Sequence, residues 1–325
     1  MDTTPSSTRA STPSSTPSST PASTPASTPG HTSATRALVL AGGGAAGNAW
    51  ELGLVAGLCD AGLDVTRADL VVGTSAGSTV AAQITSGTPP RELYAAVLAE
   101  RPGPAAPRGG VDTRRGQSVS GPSYLEWSNA IIAASEDPSD MRRRMGVAAL
   151  DRAVSHAVDP LRWRDVVAAR LPSPDWPQQA VLIPAVDART GEPVIFDRYS
   201  GVDLVDAVAA STSAMTPYPI GEGRFLNGGY RRSENADLAA GCTRVLVLSP
   251  FGGRSRMPAG WGMDLATQVE ELRSGGSRVE TVFPDSRAGD VFDANALDPS
   301  TRPQAALGGY EQGRSLADRL AAFWR

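Results

Sequence analysis

The hydrophobic pattern of this chain begins with two short apolar runs, each of which ends in a glycine-rich turn. Residues 36–41 are apolar after the first position and lead into glycines at 42–47, and residues 69–72 lead into a second turn at 73–77. Short apolar runs bounded by turn residues are typical of buried strands. Apolar side chains at helical spacing follow each turn. The pattern therefore predicts strand, turn and helix twice in succession, which is how a parallel sheet commonly begins.

Strand and helix patterns continue to alternate along the rest of the chain. This alternation indicates an α/β protein, and we predict a three-layer α/β/α domain around a mostly parallel central sheet. The predicted helices cover residues 48–61, 78–85, 124–135, 140–158, 161–171, 202–210 and 310–324, and the later predicted strands cover 180–187, 193–197, 224–226 and 244–249.

The first part of the chain differs from the rest in composition. Residues 1–35 are almost entirely Ser, Thr, Pro and Ala in repeated units. Such a segment has no large apolar surface to bury, so we predict that it is a disordered tail. They lack the apolar segment of a signal peptide. Residues 36–325 suit one large domain. Within it, residues 101–175 predict a helical insertion between core elements, the usual place for a lid.

Composition also narrows the classes of partner. The net charge of −4 gives no signature of nucleic-acid binding. No apolar run is long enough to span a bilayer, so we expect no transmembrane segment and only peripheral contact with a membrane. Cys59 and Cys242 are isolated in apolar surroundings, which predicts buried thiols rather than a disulfide or a metal site. A cytoplasmic location fits these features.

The second glycine-rich turn carries a candidate nucleophile. Gly73, Ser75 and Gly77 form a Gly-x-Ser-x-Gly elbow between a predicted strand and a predicted helix. Such an elbow lifts a serine hydroxyl off the end of a strand and aims it at the start of the helix. The glycines at 42–47 offer backbone N–H groups where an oxyanion could lie. Together the two turns predict acyl transfer by Ser75.

The base that would activate this serine is not a histidine. His31 lies in the predicted tail and His156 in a predicted helix of the insertion, and no histidine follows residue 156. The Ser, acid, His order of α/β-hydrolases is therefore excluded. A carboxylate can act as the base if it lies within about 3 Å of the serine oxygen. The place to look for one is another glycine-marked turn after a strand, and residues 225–229 provide it.

In this order, the motifs resemble those of the patatin-like phospholipase family. The glycines at 42–47, the elbow at 73–77, and the segment 207–239 with Asn227, Gly228 and Gly229 match the family's motifs in sequence. The resemblance extends over about residues 36–325. It implies a lipid acyl hydrolase or esterase with a Ser–Asp dyad, a lipid or ester substrate, no metal and no organic cofactor.

The resemblance also implies roles for particular residues. Ser75 would be the nucleophile, and the backbone N–H groups of Gly43 and Gly44, beside Gly42, would form the oxyanion hole. Five other motif glycines would shape these segments. They are Gly47, Gly73, Gly77, Gly228 and Gly229.

The chain departs from the family pattern at two positions. Ala46 stands where the family usually has Arg or Lys, which removes a positive charge near the site. Asn227 stands where the catalytic aspartate is expected. An amide has the shape of a carboxylate but cannot accept a proton at neutral pH. We therefore predict a severely slowed enzyme of this family, with a catalytically silent lipid-binding or regulatory protein as the alternative. Spontaneous deamidation of the Asn227–Gly228 pair would restore an aspartate in a fraction of molecules.

Two further alternatives remain open. A different carboxylate could replace the missing base, but Glu234 and Asp237 resemble ordinary loop residues, and Asp203 and Asp206 are predicted to be helical and solvated. The spacing of Gly42, Gly44 and Gly47 also fits a dinucleotide-binding loop. Its acidic partner would be Asp64 or Asp69. That reading leaves the serine elbow without a role.

Overall fold

The centre of the protein, in a computed structural model, is a mixed sheet of eight strands among the described residues. The structure describes residue 1 and residues 36–100, 121–156, 160–289, 292–293 and 295–325. The strands are β1 (Arg36–Leu40), β2 (Leu70–Gly73), β3 (Ala180–Asp187), β4 (Pro193–Phe196), β5 (Tyr218–Ile220), β6 (Gly223–Asn227), β7 (Arg244–Leu248) and β8 (Arg278–Val282).

Most of the sheet is parallel. Its strands lie in the order β5-β6-β3-β2-β1-β7-β8, with β4 paired to β3. The five strands from β3 to β8 in that order are parallel to their neighbours, whereas β4, β5 and β6 pair antiparallel. The carboxyl ends of β1 and β2 therefore meet at one edge, and both glycine-rich turns follow them there.

Helices flank this sheet. Some of them connect the parallel strands, as a βαβ arrangement requires. They are α1 (Gly44–Asp60), α2 (Ala76–Ile84), α3 (Pro90–Ala99), α4 (Gly121–Ala133), α5 (Pro138–His156), α6 (Pro160–Ala168), α7 (Leu204–Thr212), α8 (Leu265–Ser274) and α9 (Arg302–Trp324).

Strand β1 shows why the protein has three layers. Alternate side chains of a strand point to opposite faces of its sheet. Leu38 and Leu40 pack in the cluster formed with α1, α2 and α9, whereas Ala37 and Val39 pack in a second cluster with residues of β7 and α8. A strand covered on both faces is apolar at every position. This confirms the predicted three-layer architecture.

Helices α1 and α9 approach each other backbone to backbone. A Cβ atom added at Gly53 would lie 2.1 Å from the Ala306 carbonyl oxygen, and one at Gly309 would lie 2.3 Å from the Trp50 carbonyl oxygen. Trp50 is fully buried there and donates its indole N–H to Gln312 Oε1 at 2.9 Å. The glycines of α9 weaken its helical pattern in the sequence. That explains why the predicted helix at 310–324 is too short at its start.

Other elements differ from the sequence prediction. Helix α1 begins at Gly44 and not at residue 48, so the second half of the first glycine motif forms the first turn of a helix. The sequence pattern did not indicate α3, α8, β5 or β8. The predicted tail, other than Met1, and residues 101–120 of the predicted insertion lie outside the described residues. Within the described part of the chain, no helix combines the length and apolar character needed to cross a membrane.

Candidate active site

Ser75 lies between β2 and α2 in a strained backbone conformation. Its φ is 53° and its ψ is −119°, a region that non-glycine residues seldom occupy. Two glycines make the sharp turn possible. A Cβ atom at Gly77 would lie 2.1 Å from the Leu40 carbonyl oxygen, and one at Gly73 would lie 2.7 Å from the Ala81 Cβ. The turn leaves Ser75 partly exposed, with the N-terminus of α2 and its positive dipole end directly behind it.

Asn227 is the last residue of β6, and its side chain contacts Ser75. The Asn227 amide nitrogen donates a hydrogen bond to Ser75 Oγ at 2.9 Å. Only 9 % of Asn227 is exposed. The two residues are 152 positions apart in the chain, so the fold alone brings them together.

The orientation of the Asn227 amide is set by a neighbouring backbone group. Asn227 Oδ1 accepts the N–H of Gly229 at 2.9 Å. A backbone N–H can only donate, so the amide oxygen must face Gly229 and the amide NH₂ must face Ser75. The side chain at 227 is therefore a hydrogen-bond donor to the serine oxygen and offers no acceptor for its proton.

The C-terminal end of α7 holds the main chains of both residues. Ser211 Oγ accepts the backbone N–H of Ser75 at 3.0 Å. The Ser213 carbonyl accepts the backbone N–H of Asn227 at 2.7 Å. Ser211 is fully buried. The predicted helix at 202–210 stops before these hydroxyl residues, whereas α7 continues to Thr212, and the sequence pattern did not indicate their contacts with the site.

The first glycine motif packs directly against the elbow. A Cβ atom at Gly42 would lie 3.4 Å from the Ser75 Cβ and 3.9 Å from its Oγ, and one at Gly43 would lie 2.7 Å from Pro250. Gly44 has a φ of 62°. Among the described residues, the backbone N–H groups of these glycines donate to no backbone carbonyl.

The remaining motif glycines also lie in crowded positions. A Cβ atom at Gly47 would lie 3.0 Å from Pro250, and one at Gly228 would lie 2.2 Å from the Pro184 carbonyl oxygen. At Gly229 the nearest atom would be Asn227 Oδ1 at 3.1 Å. Gly42 therefore packs against the Ser75 elbow and Gly229 against the Asn227 side chain, whereas Gly47 packs against Pro250.

A cation lies at the first turn of α1, although Ala46 carries none. The guanidinium of Arg302 donates to Asn48 Oδ1 at 2.7 Å and lies 3.5 Å from the Ala45 carbonyl oxygen. It also forms a two-pronged ion pair with Glu100. The charge comes from α9, and Glu100 balances it.

The other carboxylates considered as bases are engaged elsewhere. Glu234 is buried and accepts from Ser249 Oγ at 2.9 Å. Asp237 pairs with an arginine of the same turn. Asp206 accepts the Tyr218 hydroxyl at 2.6 Å and pairs with Arg164, so the prediction that it is solvated was wrong. Among the described residues, none of these groups hydrogen-bonds to Ser75.

Glu51 is an acid beneath the first glycine motif. It lies one helical turn after Gly47 and is fully buried. Burial raises the pKa of its carboxyl well above the usual range, and the nearby Ala41 amide offsets this only in part. Because a buried carboxylate without a cation is costly, the folded protein holds this group as the neutral acid.

Replacing Glu51 with Gln should remove a pH dependence of stability. Between the unfolded and folded pKa values the unfolded state releases a proton that the folded state keeps, so stability falls as pH rises by about 1.36 kcal/mol per pH unit. We expect the stability gained by Glu51→Gln to be small at about pH 4 and to grow towards neutral pH. Urea unfolding at several pH values measures it. A stability difference that does not change with pH would contradict the neutral state.

A comparison with known protein families identifies the family of this chain. The family model for patatin-like phospholipases matches residues 38–240, which is more than half of the chain. The protein belongs to the patatin-like phospholipase family, whose members are generally lipid acyl hydrolases. A comparison with curated proteins finds no match.

Two solved structures of effector proteins are similar to this chain. VipD from Legionella pneumophila has 13 % sequence identity and a TM-score of 0.41, over 88 % of this chain and 67 % of VipD. The type III effector protein ExoU has 19 % identity and a TM-score of 0.36, over 87 % of this chain and 53 % of ExoU. The chain thus spans about two thirds of one effector and about half of the other.

Proposed function

We propose that this protein is a serine acyl hydrolase of lipid esters, with Ser75 as the nucleophile and residue 227 in the position of the base. The observation that carries this proposal is the hydrogen bond between Asn227 Nδ2 and Ser75 Oγ at 2.9 Å. It joins a strained serine elbow to the end of another strand in a member of a lipid hydrolase family. The asparagine then slows turnover severely.

The proposed reaction begins with attack of Ser75 Oγ on the carbonyl carbon of an ester. The carbonyl oxygen becomes an oxyanion, which the N–H groups of Gly43 and Gly44, beside Gly42, would stabilise, with the positive end of α2 adding a favourable field. The alcohol then leaves with a proton, and water releases the acyl group from Ser75.

The weak step is removal of the serine proton. A positioned base contributes about 10²–10⁴-fold to such a reaction. Asn227 cannot take the proton because its oxygen is occupied by the Gly229 N–H and its nitrogen is a donor. Oxyanion stabilisation and substrate binding without a base leave residual catalysis of about 10³–10⁴-fold over water in other serine hydrolases. The chain should therefore retain a low, serine-dependent activity.

A catalytically silent lipid-binding protein is the second candidate. The amide donor of Asn227 supports it, because this donor keeps the serine oxygen as an acceptor and preserves the shape of the site. In either case the substrate or ligand is a lipid or ester, and membrane contact would be peripheral. The cytoplasmic location and the role of residues 101–175 as a lid stay predictions.

A lipid hydrolysis screen tests the first proposal. The unaltered chain and a Ser75→Ala variant would be incubated with phospholipid and glycolipid vesicles and with a p-nitrophenyl ester. We expect slow release of acyl groups by the unaltered chain and none by Ser75→Ala. A fluorophosphonate probe should label Ser75, as peptide mass spectrometry can show.

The result also separates the two candidates. Vesicle binding without any release of acyl groups, and without labelling of Ser75, would favour the silent lipid-binding protein. Hydrolysis that persists in Ser75→Ala would refute Ser75 as the nucleophile.

A further inference from the structure

A buried asparagine with no assigned role lies between the two halves of the candidate site. Asn235 is fully buried and adopts the left-handed conformation, with a φ of 58° and a ψ of 33°. Asn tolerates this conformation better than other non-glycine residues. Its side chain uses all of its hydrogen-bonding groups, since Oδ1 accepts from Arg231 at 2.8 Å and Nδ2 has acceptors on three sides.

One of these acceptors is on the nucleophile elbow. Asn235 Nδ2 donates to Thr74 Oγ1 at 3.0 Å, and Thr74 directly precedes Ser75. The Thr74 hydroxyl in turn donates to the Glu234 carbonyl at 3.2 Å. The hydroxyl is therefore fixed in one orientation, and the elbow is fastened to the turn that contains Asn235.

A second acceptor is on the turn that carries residue 227. Asn235 Nδ2 lies 3.1 Å from the Gly228 carbonyl oxygen and 3.1 Å from the Arg232 carbonyl oxygen. Gly228 directly follows Asn227 and is pressed against the Pro184 carbonyl. One side-chain amide thus links the residue before the nucleophile to the residue after the base position.

These contacts close a ring. Ser75 and Asn227 are joined by their own hydrogen bond, and Thr74 and Gly228 are joined through Asn235. Proton transfer requires the serine oxygen and the base to lie within about 3 Å. A misplacement of about 1 Å can lower a rate by roughly 10²-fold.

We propose that Asn235 is a positioning residue that sets the separation between Ser75 and residue 227. Its contacts are separate from those of α7, whose end holds the two main chains through Ser211 and Ser213. This inference rests on the proposed function for its effect on rate, but its effect on geometry is independent of that function.

The amide is chemically specific for this task. An Asp at this position would keep its partner Arg231 but would present oxygen atoms to the Thr74 hydroxyl and the Gly228 carbonyl, which removes both donors. A Gly would keep the left-handed backbone and remove the clamp without adding a charge. Asn235→Asp and Asn235→Gly therefore interrupt the ring in two different ways.

The kinetic test uses a chain in which Asn227→Asp restores the base. In that chain we expect both Asn235 variants to lower kcat for a p-nitrophenyl ester by about 10²-fold, with KM changed far less. The rate would be expressed per active site titrated with a fluorophosphonate, so that a loss of folded protein does not count. Gln178→Glu, an exposed amide-to-acid change just before β3, is the matched control and should leave kcat unchanged.

The pH profile provides a readout that a purely structural role would not move. A hydrogen bond from Ser75 to the ionised Asp at 227 lowers the pKa of that acid. We expect Asn235→Gly, which adds no charge, to weaken this bond and to shift the acidic limb of the pH profile to higher pH. An unchanged limb together with an unchanged kcat per titrated site would overturn the proposal.

A crystal structure tests the same inference without any activity. In an Asn235→Gly variant that keeps Asn227, we expect the 2.9 Å contact between Ser75 Oγ and Asn227 Nδ2 to lengthen beyond hydrogen-bond distance. If that contact persists, Asn235 does not set the separation, whether or not the protein hydrolyses esters.

If the variants at 235 do not fold, Thr74→Val removes the other end of the link and Thr74→Ser keeps it. We expect Thr74→Val, but not Thr74→Ser, to lower kcat and to lengthen the contact between Ser75 Oγ and Asn227 Nδ2. Equal behaviour of these two variants would overturn the proposal.

Discussion

Replacing Asn227 with Asp should raise kcat for ester hydrolysis by about 10²–10⁴-fold. The new carboxylate has the shape of the amide it replaces. One oxygen keeps the hydrogen bond from the Gly229 N–H, and the other takes the place of Nδ2 at 2.9 Å from Ser75 Oγ. It can then accept the serine proton instead of donating to the serine oxygen.

A p-nitrophenyl ester assay on the unaltered chain and on Asn227→Asp measures this gain. The gain should vanish when Ser75→Ala is added, and the exposed change Gln178→Glu should produce none. The variant should also acquire an acidic limb in its pH profile, because the carboxylate is a base only when ionised. Equal, Ser75-dependent rates with Asn and with Asp at 227 would refute the assigned role of this position.

Deamidation of Asn227 would imitate this substitution in old samples. The amide is held at both ends by Gly229 and Ser75, which limits its access to the backbone nitrogen of Gly228. Peptide mass spectrometry on fresh and aged protein, beside activity measured on the same samples, checks this. Activity that rises while Asn227 stays unmodified would refute the deamidation hypothesis.

Replacing Gly77 with Ala should destabilise the protein by about 3 kcal/mol or more. The added Cβ atom would lie 2.1 Å from the Leu40 carbonyl oxygen and 2.5 Å from the Leu40 carbonyl carbon. These are backbone atoms at the end of β1, and the same oxygen accepts the Thr74 N–H at 2.9 Å. Relief of the clash therefore requires the elbow and the first glycine motif to move apart.

Thermal unfolding gives the size of this effect. With roughly 2–4 °C per kcal/mol for a domain of about this size, the expected fall in Tm is about 10 °C. Gly260→Ala is the matched control, because a Cβ atom there has nothing within 4 Å and Gly260 has no positive φ. Its stability should change by less than about 0.5 kcal/mol. Similar Tm values for the two variants would mean that the elbow is not as tightly packed as these distances indicate.

The sequence indicated the elements that surround the nucleophile because their signals are local. An apolar run followed by Gly73, Ser75 and Gly77 specifies a strand, a sharp turn and a helix within a few residues. The same holds for β3 and β4, which were both predicted as strands and which pair antiparallel in the structure. Helix α9 was predicted too short because its glycines are unfavourable in an isolated helix. Close contact with α1 makes them favourable in the folded protein.

The sequence by itself determined the fold class, the elbow at Ser75 and the presence of an amide at the position where a base is expected. Only the tertiary structure decided that Asn227 donates to Ser75, that Ser211 and Asn235 form hydrogen bonds with the elbow, and that Arg302 of α9 lies against the first turn of α1. The physical reason is the range of the interactions. Turns and apolar periodicity depend on neighbouring residues, whereas these hydrogen bonds join residues up to 254 positions apart and exist only after strands and helices have packed.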